Sequence, residues 1–338
     1  MFDFAGKRWW YLSVAIVLFV ASVVILAIPP HLRPGIEFTS GSSFTLQFTE
    51  RAVEQSDLRD AMHDLGEADA RVQGSGEPNT YLIRTRELAG APSVSSEAGP
   101  VPPGEIDDIE RGLCERFGTT GEDGVCRGVV RKDFSTVSGS VSTEIARNAT
   151  FAVIASSIAI LIYISMVFRK VAKPWRYGTA AIVATLHDAF MILGLFSLLG
   201  KWRGTEVDVA FITALLTVIG FSVHDTIVVF DRIREKVTHD PYIPFEEAVN
   251  SSLMETLARS INTSFVVVLT VLAMLLIGGV TIRNFLLVLL VGIVSGTYSS
   301  IAVAAQILVA WERNDIGRFL RKITGRAQKP DDSVMEPA

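Results

Sequence analysis

Apolar residues in this chain come in six blocks, at 9–28, about 150–168, 177–199, 209–230, 261–277 and 285–310. Each approaches or exceeds the roughly 20 residues that a helix needs to cross a hydrocarbon layer of about 30 Å. Each is also too long and too apolar for a surface helix, and the last is long enough to cross at a tilt. Between the first and second blocks the character reverses, and residues 35–148 are densely charged. The pattern predicts a cytoplasmic start with a first transmembrane helix (1–28), a soluble domain (29–148), transmembrane helices two to six (149–311) and a cytoplasmic tail (312–338).

The soluble insert has periodicities of its own. Residues 43–48 (SFTLQF) alternate, as a half-buried strand does. Residues 56–62 (SDLRDAM) read as a helix whose start lies at 54–56. Two more strands, 70–73 and 81–86, flank the turn sequence Gly-Ser-Gly-Glu-Pro-Asn. Residues 90–104 are rich in Ala, Pro, Ser and Gly and predict a flexible loop. A helix at 105–117 and a strand at 125–131 complete a β-α-β-β-α-β order, which predicts a small α+β, ferredoxin-like sandwich. The overall fold class is therefore an α-helical membrane protein carrying a small α+β domain.

Charge sets the orientation. With the N-terminus inside, the inner segments carry sixteen Lys and Arg residues, and the short outer loops carry only Lys201, Arg203 and Arg283. Both termini are then cytoplasmic and the insert is extracytoplasmic, since long domains translocate whatever their charge. The first block has the basic start of a signal peptide (Lys7, Arg8). It is too long for one, and Ile28-Pro29-Pro30 lacks the small-x-small cleavage pattern, so it reads as a retained anchor. Trp9, Trp10 and Tyr11 sit where an interfacial aromatic belt belongs.

Composition adds little to this and removes some function classes. Of 338 residues, 49% are apolar and only 20% are charged, against about 25% charged in ordinary soluble domains. The net charge of −5 gives no argument for nucleic acid. The acidic surplus of the insert reads either as a solvated surface or as a binding face for extended polypeptide. Cys114 and Cys126 both lie in the insert, where an oxidising compartment would allow a disulfide. No metal-ligand spacing and no phosphate-binding Gly-rich loop is present, and the Gly292-Ile-Val-Ser-Gly296 run favours close helix packing. The His187-Asp188 and His224-Asp225 dipeptides imitate a metal phosphohydrolase signature. They lie in apolar spans with no further His or carboxylate nearby in sequence, so that reading fails, and nothing else points to an enzyme.

The chemistry is in the spans. An ionisable side chain in the hydrocarbon is costly and is a functional candidate by default. Asp188 lies near the middle of the third span and Asp225 within the fourth. Arg259 opens the fifth span from the same side as Asp225, followed by Asn262 and Thr263. Burial raises a carboxyl pKa and a nearby guanidinium lowers it, so an Asp225–Arg259 pair suits proton transfer. Thr213, Thr217, Ser222 and Thr226 could line a water path, and His187 and His224 either join the relay or simply pack. The alternative is a static salt bridge between two helices.

These residues also carry a resemblance. Residues 35–41 (GIEFTSG) resemble the Gly-Ile-Asp-Phe-Thr-Gly-Gly signature of the SecF family of export membrane proteins. Residues 221–236 (FSVHDTIVVFDRIREK) resemble that family's fourth-span motif, 257–264 (LARSINTS) its fifth-span entry, and 137–144 (VSGSVSTE) the approach to its second span. The six-span layout agrees. The resemblance implies half of a resistance-nodulation-division transporter, paired with SecD across a pseudo-two-fold axis. It implies association with the SecYEG channel, a translocating preprotein as cargo, and protons as the coupling ion, with no other cofactor. The membrane implied is the bacterial inner membrane. By resemblance Asp225 carries the proton and Arg259 is its partner, while Gly35, Glu37 and Gly41 form the structural signature. His224 stands where the family usually has Asn, and Ser40 where it has Gly. Two rival readings are half of a proton-driven small-molecule antiporter and a non-transporting assembly factor of the translocon.

Overall fold

In lipid a backbone must satisfy its hydrogen bonds within its own segment, so β-branched apolar runs become helices there despite their strand propensity. The computed structural model describes residues 3–75, 77–89, 104–120, 126–169, 174–279 and 282–313. Six of its helical segments are long and apolar enough to cross a membrane. They are α1 (Arg8–Ala27), α5 (Gly139–Val167), α6 (Pro174–Arg203), α7 (Val209–His239), α8 (Phe245–Ile277), and a last span built from α9 (Arg283–Ser299), a π-helical turn (Ser300–Ala304) and α10 (Ala305–Glu312). Between them stand the short α2 (Ile36–Thr39), α3 (Gln55–Asp64) and α4 (Glu105–Phe117), together with six strands.

Several helices outrun the apolar blocks that predicted them. α5 starts at Gly139, capped by the Ser138 hydroxyl, and α7 continues to His239. Hydropathy marks where a helix meets lipid. Backbone hydrogen bonding carries it further, and polar extensions hold where ion pairs support them. Beyond the apolar part of α7, Arg232 and Lys236 both pair with Glu255 of α8. At the same end Arg8 of α1 reaches Glu246 of α8 at 3.0 Å.

α7 and the last span form the centre of the bundle. Their contact is set by small residues. A Cβ on Gly292 would lie 2.3 Å from Val218, and one on Gly296 3.0 Å from Ser222. The glycine pair therefore does the packing its sequence predicted. α1 and α6 meet in the same way, with Gly194 against Ser22. The π-turn after Ser299 adds one residue to a turn of the last span. It is accompanied by local hydrogen bonds from the Ser300 hydroxyl to the Thr297 carbonyl (3.0 Å) and from Gln306 Nε2 to the Ile301 carbonyl (3.2 Å).

The α+β domain follows the predicted order. Strands β1 (Gly41–Phe48), β2 (Arg71–Gly74), β3 (Thr80–Thr85) and β6 (Val129–Val137) form one antiparallel sheet in the order β2-β3-β1-β6. That is the ferredoxin-like arrangement, with α3 and α4 on one face. Phe44, Leu46 and Phe48 alternate inward from β1 and meet Leu58 and Met62 of α3, Ile83 of β3 and Ile106 and Leu113 of α4. The single strand expected at 125–131 is instead β5 (Cys126–Arg127) and β6, divided at Gly128. Gly128 has φ +95°, which breaks the extended run. β5 pairs with β4 (Thr119–Thr120) in a two-stranded ribbon. Cys114 on α4 and Cys126 on β5 are joined as a disulfide. The flexible loop expected at 90–104 falls almost wholly on 90–103, outside the described residues, as does the tail from 314 onward.

The signature at 35–41 turns out to be a joint. Gly35 caps the one-turn α2, and Gly41 opens β1 at φ +128°, where a Cβ would lie 2.5 Å from the Thr85 carbonyl. Ser40, between them, sits at φ 62°, ψ 166°. Glycine takes that conformation freely and a side chain costs on the order of 1–3 kcal/mol there. Ser40→Gly is therefore expected to stabilise the domain by about 1 kcal/mol. Pulse proteolysis of the full chain checks it, and an unchanged or lowered midpoint contradicts the strain.

Candidate functional site

Two carboxyl groups are buried between the membrane helices, and their surroundings differ. Asp188, fully buried on α6, points into the seam between α7 and α9. The Ser222 hydroxyl of α7 donates to its Oδ2 at 2.6 Å, as does that of Ser299 on α9. Ser295, one turn earlier on α9, donates to Oδ1 at 2.7 Å, and His187 Nδ1 lies 3.4 Å from the same oxygen. Three helices thus converge on one carboxyl group. Three hydroxyls donating to one carboxyl group from two neighbouring helices hold α6, α7 and α9 in register.

Asp225 is three residues beyond Ser222 on α7, one turn along the same buried face. It is 3% exposed, and its Oδ2 has no hydrogen-bond partner among the described residues. Ser260 of α8 and Thr297 of α9 present hydroxyls toward it, and His224, its neighbour in the chain, lies within electrostatic reach. Neither hydroxyl is committed to Asp225. Thr297 pairs with Ser264 at 2.6 Å and bonds the Ile293 carbonyl, while Ser260 stands unbonded. A buried carboxyl oxygen with no partner is uncommon and calls for a reason.

The expected ion pair is not formed. Arg259 is exposed on α8 and makes no salt bridge with Asp225. Successive helical residues are turned by about 100°, so with Ser260 facing α7, Arg259 faces away. Asn262 and Thr263 are exposed on the same helix, and His224 is exposed on α7 while Thr226 is buried. Of the expected polar path, Ser222 is committed to Asp188. Thr213 and Thr217 bond their own helix backbone and are exposed. Sequence reasoning missed Ser260, Ser295, Thr297 and Ser299. A signal was present for two of them, since Ser295 and Ser299 repeat at a spacing of four, each three residues after a packing glycine.

Seen from outside, α7 and α8 carry polar and small groups where lipid would be expected: Thr213, Thr217, Gly220 and His224 on α7, Arg259 and Asn262 on α8. Among the described residues no group of three or more His, Cys, Asp and Glu could hold a metal ion.

Residues 123–314 match the family model described as "Protein export membrane protein SecD/SecF, C-terminal". The chain is also 41% identical, over 95% of its length and 98% of the relative's, to the protein translocase subunit SecF of Thermobaculum terrenum. The chain belongs to the SecF family. A second SecF, from Anaerolinea thermophila, is 36% identical over the same shares. The crystal structure of SecDF from Thermus thermophilus superimposes with a TM-score of 0.75 at 31% identity, over 92% of this chain. The chain spans only 39% of that SecDF chain, so the SecF portion lies within a protein about two and a half times as long. Family membership makes this a multi-pass membrane protein and a protein translocase subunit, and it places the two buried aspartates in the portion that the family model covers.

Proposed function

We propose that the chain is the SecF half of a SecD–SecF pair in the bacterial inner membrane, which uses the proton gradient to assist preprotein export through SecYEG. The reading places both termini in the cytoplasm and the α+β domain outside. The observation that carries it is Asp225, a buried carboxyl group with an uncommitted oxygen, beside an exposed polar stripe that carries His224 on α7 and Arg259 and Asn262 on α8. A carboxyl group whose cationic partner comes and goes takes up and releases a proton in step. In this resting arrangement Arg259 is turned away, and a rotation or slide of α8 would bring it in, past Asn262 and Thr226. Asp188 serves that movement from a fixed point. Its three hydroxyl partners anchor α6, α7 and α9 while α8 moves.

The exposed polar stripe supports the pairing. A guanidinium facing hydrocarbon is costly, and a second six-span half lying on α7 and α8 removes that cost. The longer SecDF relatives carry their additional length in the same chain. Co-expression with a SecD protein and capture through a tag on this chain tests the pairing. A stoichiometric complex is expected, weakened at least about tenfold by paired Arg259→Leu and His224→Leu substitutions, since each lost hydrogen-bonded contact is worth about 1 kcal/mol. Capture of SecYEG components without SecD would overturn the pairing and favour an assembly factor.

A further inference from the structure

The α+β domain is tied to the chain at its two ends, through residues 28–35 and through the entry to α5. A further attachment, which begins at the first of these and extends onto β2 and β3, joins it to the loop between α6 and α7. The Val207 amide donates to the Arg33 carbonyl at 2.7 Å and the Gly35 amide to the Val207 carbonyl at 2.8 Å, a short parallel bridge. Gln73 Nε2 of β2 donates to the Arg203 carbonyl at 2.8 Å. Arg84 of β3 reaches Glu206 of the loop at 2.6 Å. Glu206 is 6% exposed, an unusual position for a loop glutamate.

More acid than base is buried in this seam. Glu37 from α2, Glu206 and Asp208 from the loop, and Arg84 and Arg71 from adjacent strands lie within electrostatic reach of one another. The Arg33 guanidinium lies beside Gly204 at its edge. The close ion pair Arg84–Glu206 uses one of three carboxyl groups. Asp208 also caps α7, accepting from the Phe211 amide at 2.6 Å, and Glu37 bonds its own amide.

We propose that this seam is a proton-favoured clasp: the α+β domain stays seated on the α6–α7 loop when Glu37, Glu206 and Asp208 together carry fewer than three charges, and unseats when all three are ionised. Burial pushes each of the three carboxyl groups above its usual range, outweighing Arg84 in every case, and the Glu37–Asp208 repulsion adds to it for Glu37. A carboxyl raised in the seated state binds its proton more tightly there than when exposed. Seating therefore strengthens as pH falls toward the raised values and weakens as pH rises through them, above the ordinary carboxyl range near about 4. The clasp would respond to the pH of whichever compartment the domain faces.

Spin labels on Ser56→Cys of α3 and Ile277→Cys at the domain-side end of α8 read the seating, since both sites are exposed and outside the seam. The native cysteines are already paired. In lipid nanodiscs the full chain is expected to give one narrow distance distribution at pH 5. A second, broader population should grow at least about threefold by pH 8. Glu37→Gln with Asp208→Asn, which keeps a helix-capping side chain, should hold the narrow distribution at pH 8, and so should Glu37→Gln alone, which limits the seam to two charges. Identical distributions at the two pH values in the unsubstituted chain overturn the clasp, as does a double variant that behaves like the parent. The measurement uses neither a partner nor a gradient, so its failure leaves the translocase reading intact, and failure of that reading leaves the clasp intact.

Discussion

Replacing Asp225 by Asn is expected to remove the gradient-dependent part of export while leaving the chain folded and paired. The amide is nearly isosteric and cannot exchange a proton. Because Oδ2 has no hydrogen-bond partner among the described residues, little is lost when it becomes an NH2, and thermal stability should change by under about 1 kcal/mol. Function should change far more. Each proton moved through about 100 mV releases roughly 2.3 kcal/mol, and none of it reaches the cargo if the carrier cannot load. In inverted vesicles holding the full translocase, proton flux and the gradient-stimulated component of export should both fall by at least about tenfold, to the level seen with the gradient collapsed. Unchanged flux and export in this variant would end the relay reading. Unchanged export with flux lost would favour the small-molecule antiporter, whose hallmark is drug sensitivity without precursor accumulation. A parent whose activity ignores the gradient would favour the assembly factor.

Architecture was legible in the sequence to the extent that one residue type reports on one environment. Apolar blocks gave six spans because lipid imposes a minimum length, and alternation gave β1 because its inward set, Phe44, Leu46 and Phe48, has no polar member. Helix ends were missed where ion pairs rather than lipid sustain the helix, as at the Arg232–Glu255 contact. The site was legible in height and illegible in azimuth. Counting residues put Arg259 at the level of Asp225, but the face it takes depends on which neighbour packs inward, and the structure gives that place to Ser260. The hydroxyls around Asp188 come from positions 34, 107 and 111 residues away in sequence. Only the glycine-driven contact of α7 with α9 brings them together, and a serine in an apolar helix usually bonds its own backbone, so nothing local marks Ser222, and Ser295 and Ser299 are marked only by their spacing from the two glycines. The seam at Glu206 was invisible for a related reason, because a loop carboxylate reads as solvated until a second domain is laid over it.

The other large effect is expected at Asp188, and in the opposite quantity. Asp188→Leu fills the same space with an apolar side chain, leaves Ser222 and Ser295 without their acceptor and leaves Ser299 only the Gly296 carbonyl. A buried polar group left unpaired costs about 1–3 kcal/mol, while interhelical hydrogen bonds measured within membranes average about 0.6 kcal/mol. Three donors losing one acceptor together place the loss at about 2–5 kcal/mol, enough to lower the thermal midpoint of the bundle well outside error. Asp188→Asn retains a carbonyl oxygen that can accept from two of the hydroxyls and should cost about 1 kcal/mol. If Asp188 anchors the helices against which α8 moves, the Asn variant keeps most of its gradient-dependent export, in contrast to Asp225→Asn. If Asp188 instead carries the proton, its Asn variant would lose export while staying nearly as stable as the parent, and the assignment of the two aspartates would have to be exchanged. Measuring stability and export on the same four preparations (parent, Asp225→Asn, Asp188→Asn and Asp188→Leu) separates a carboxyl group that holds helices from one that moves charge. Burial alone does not, since both groups are buried and only the number of committed partners differs.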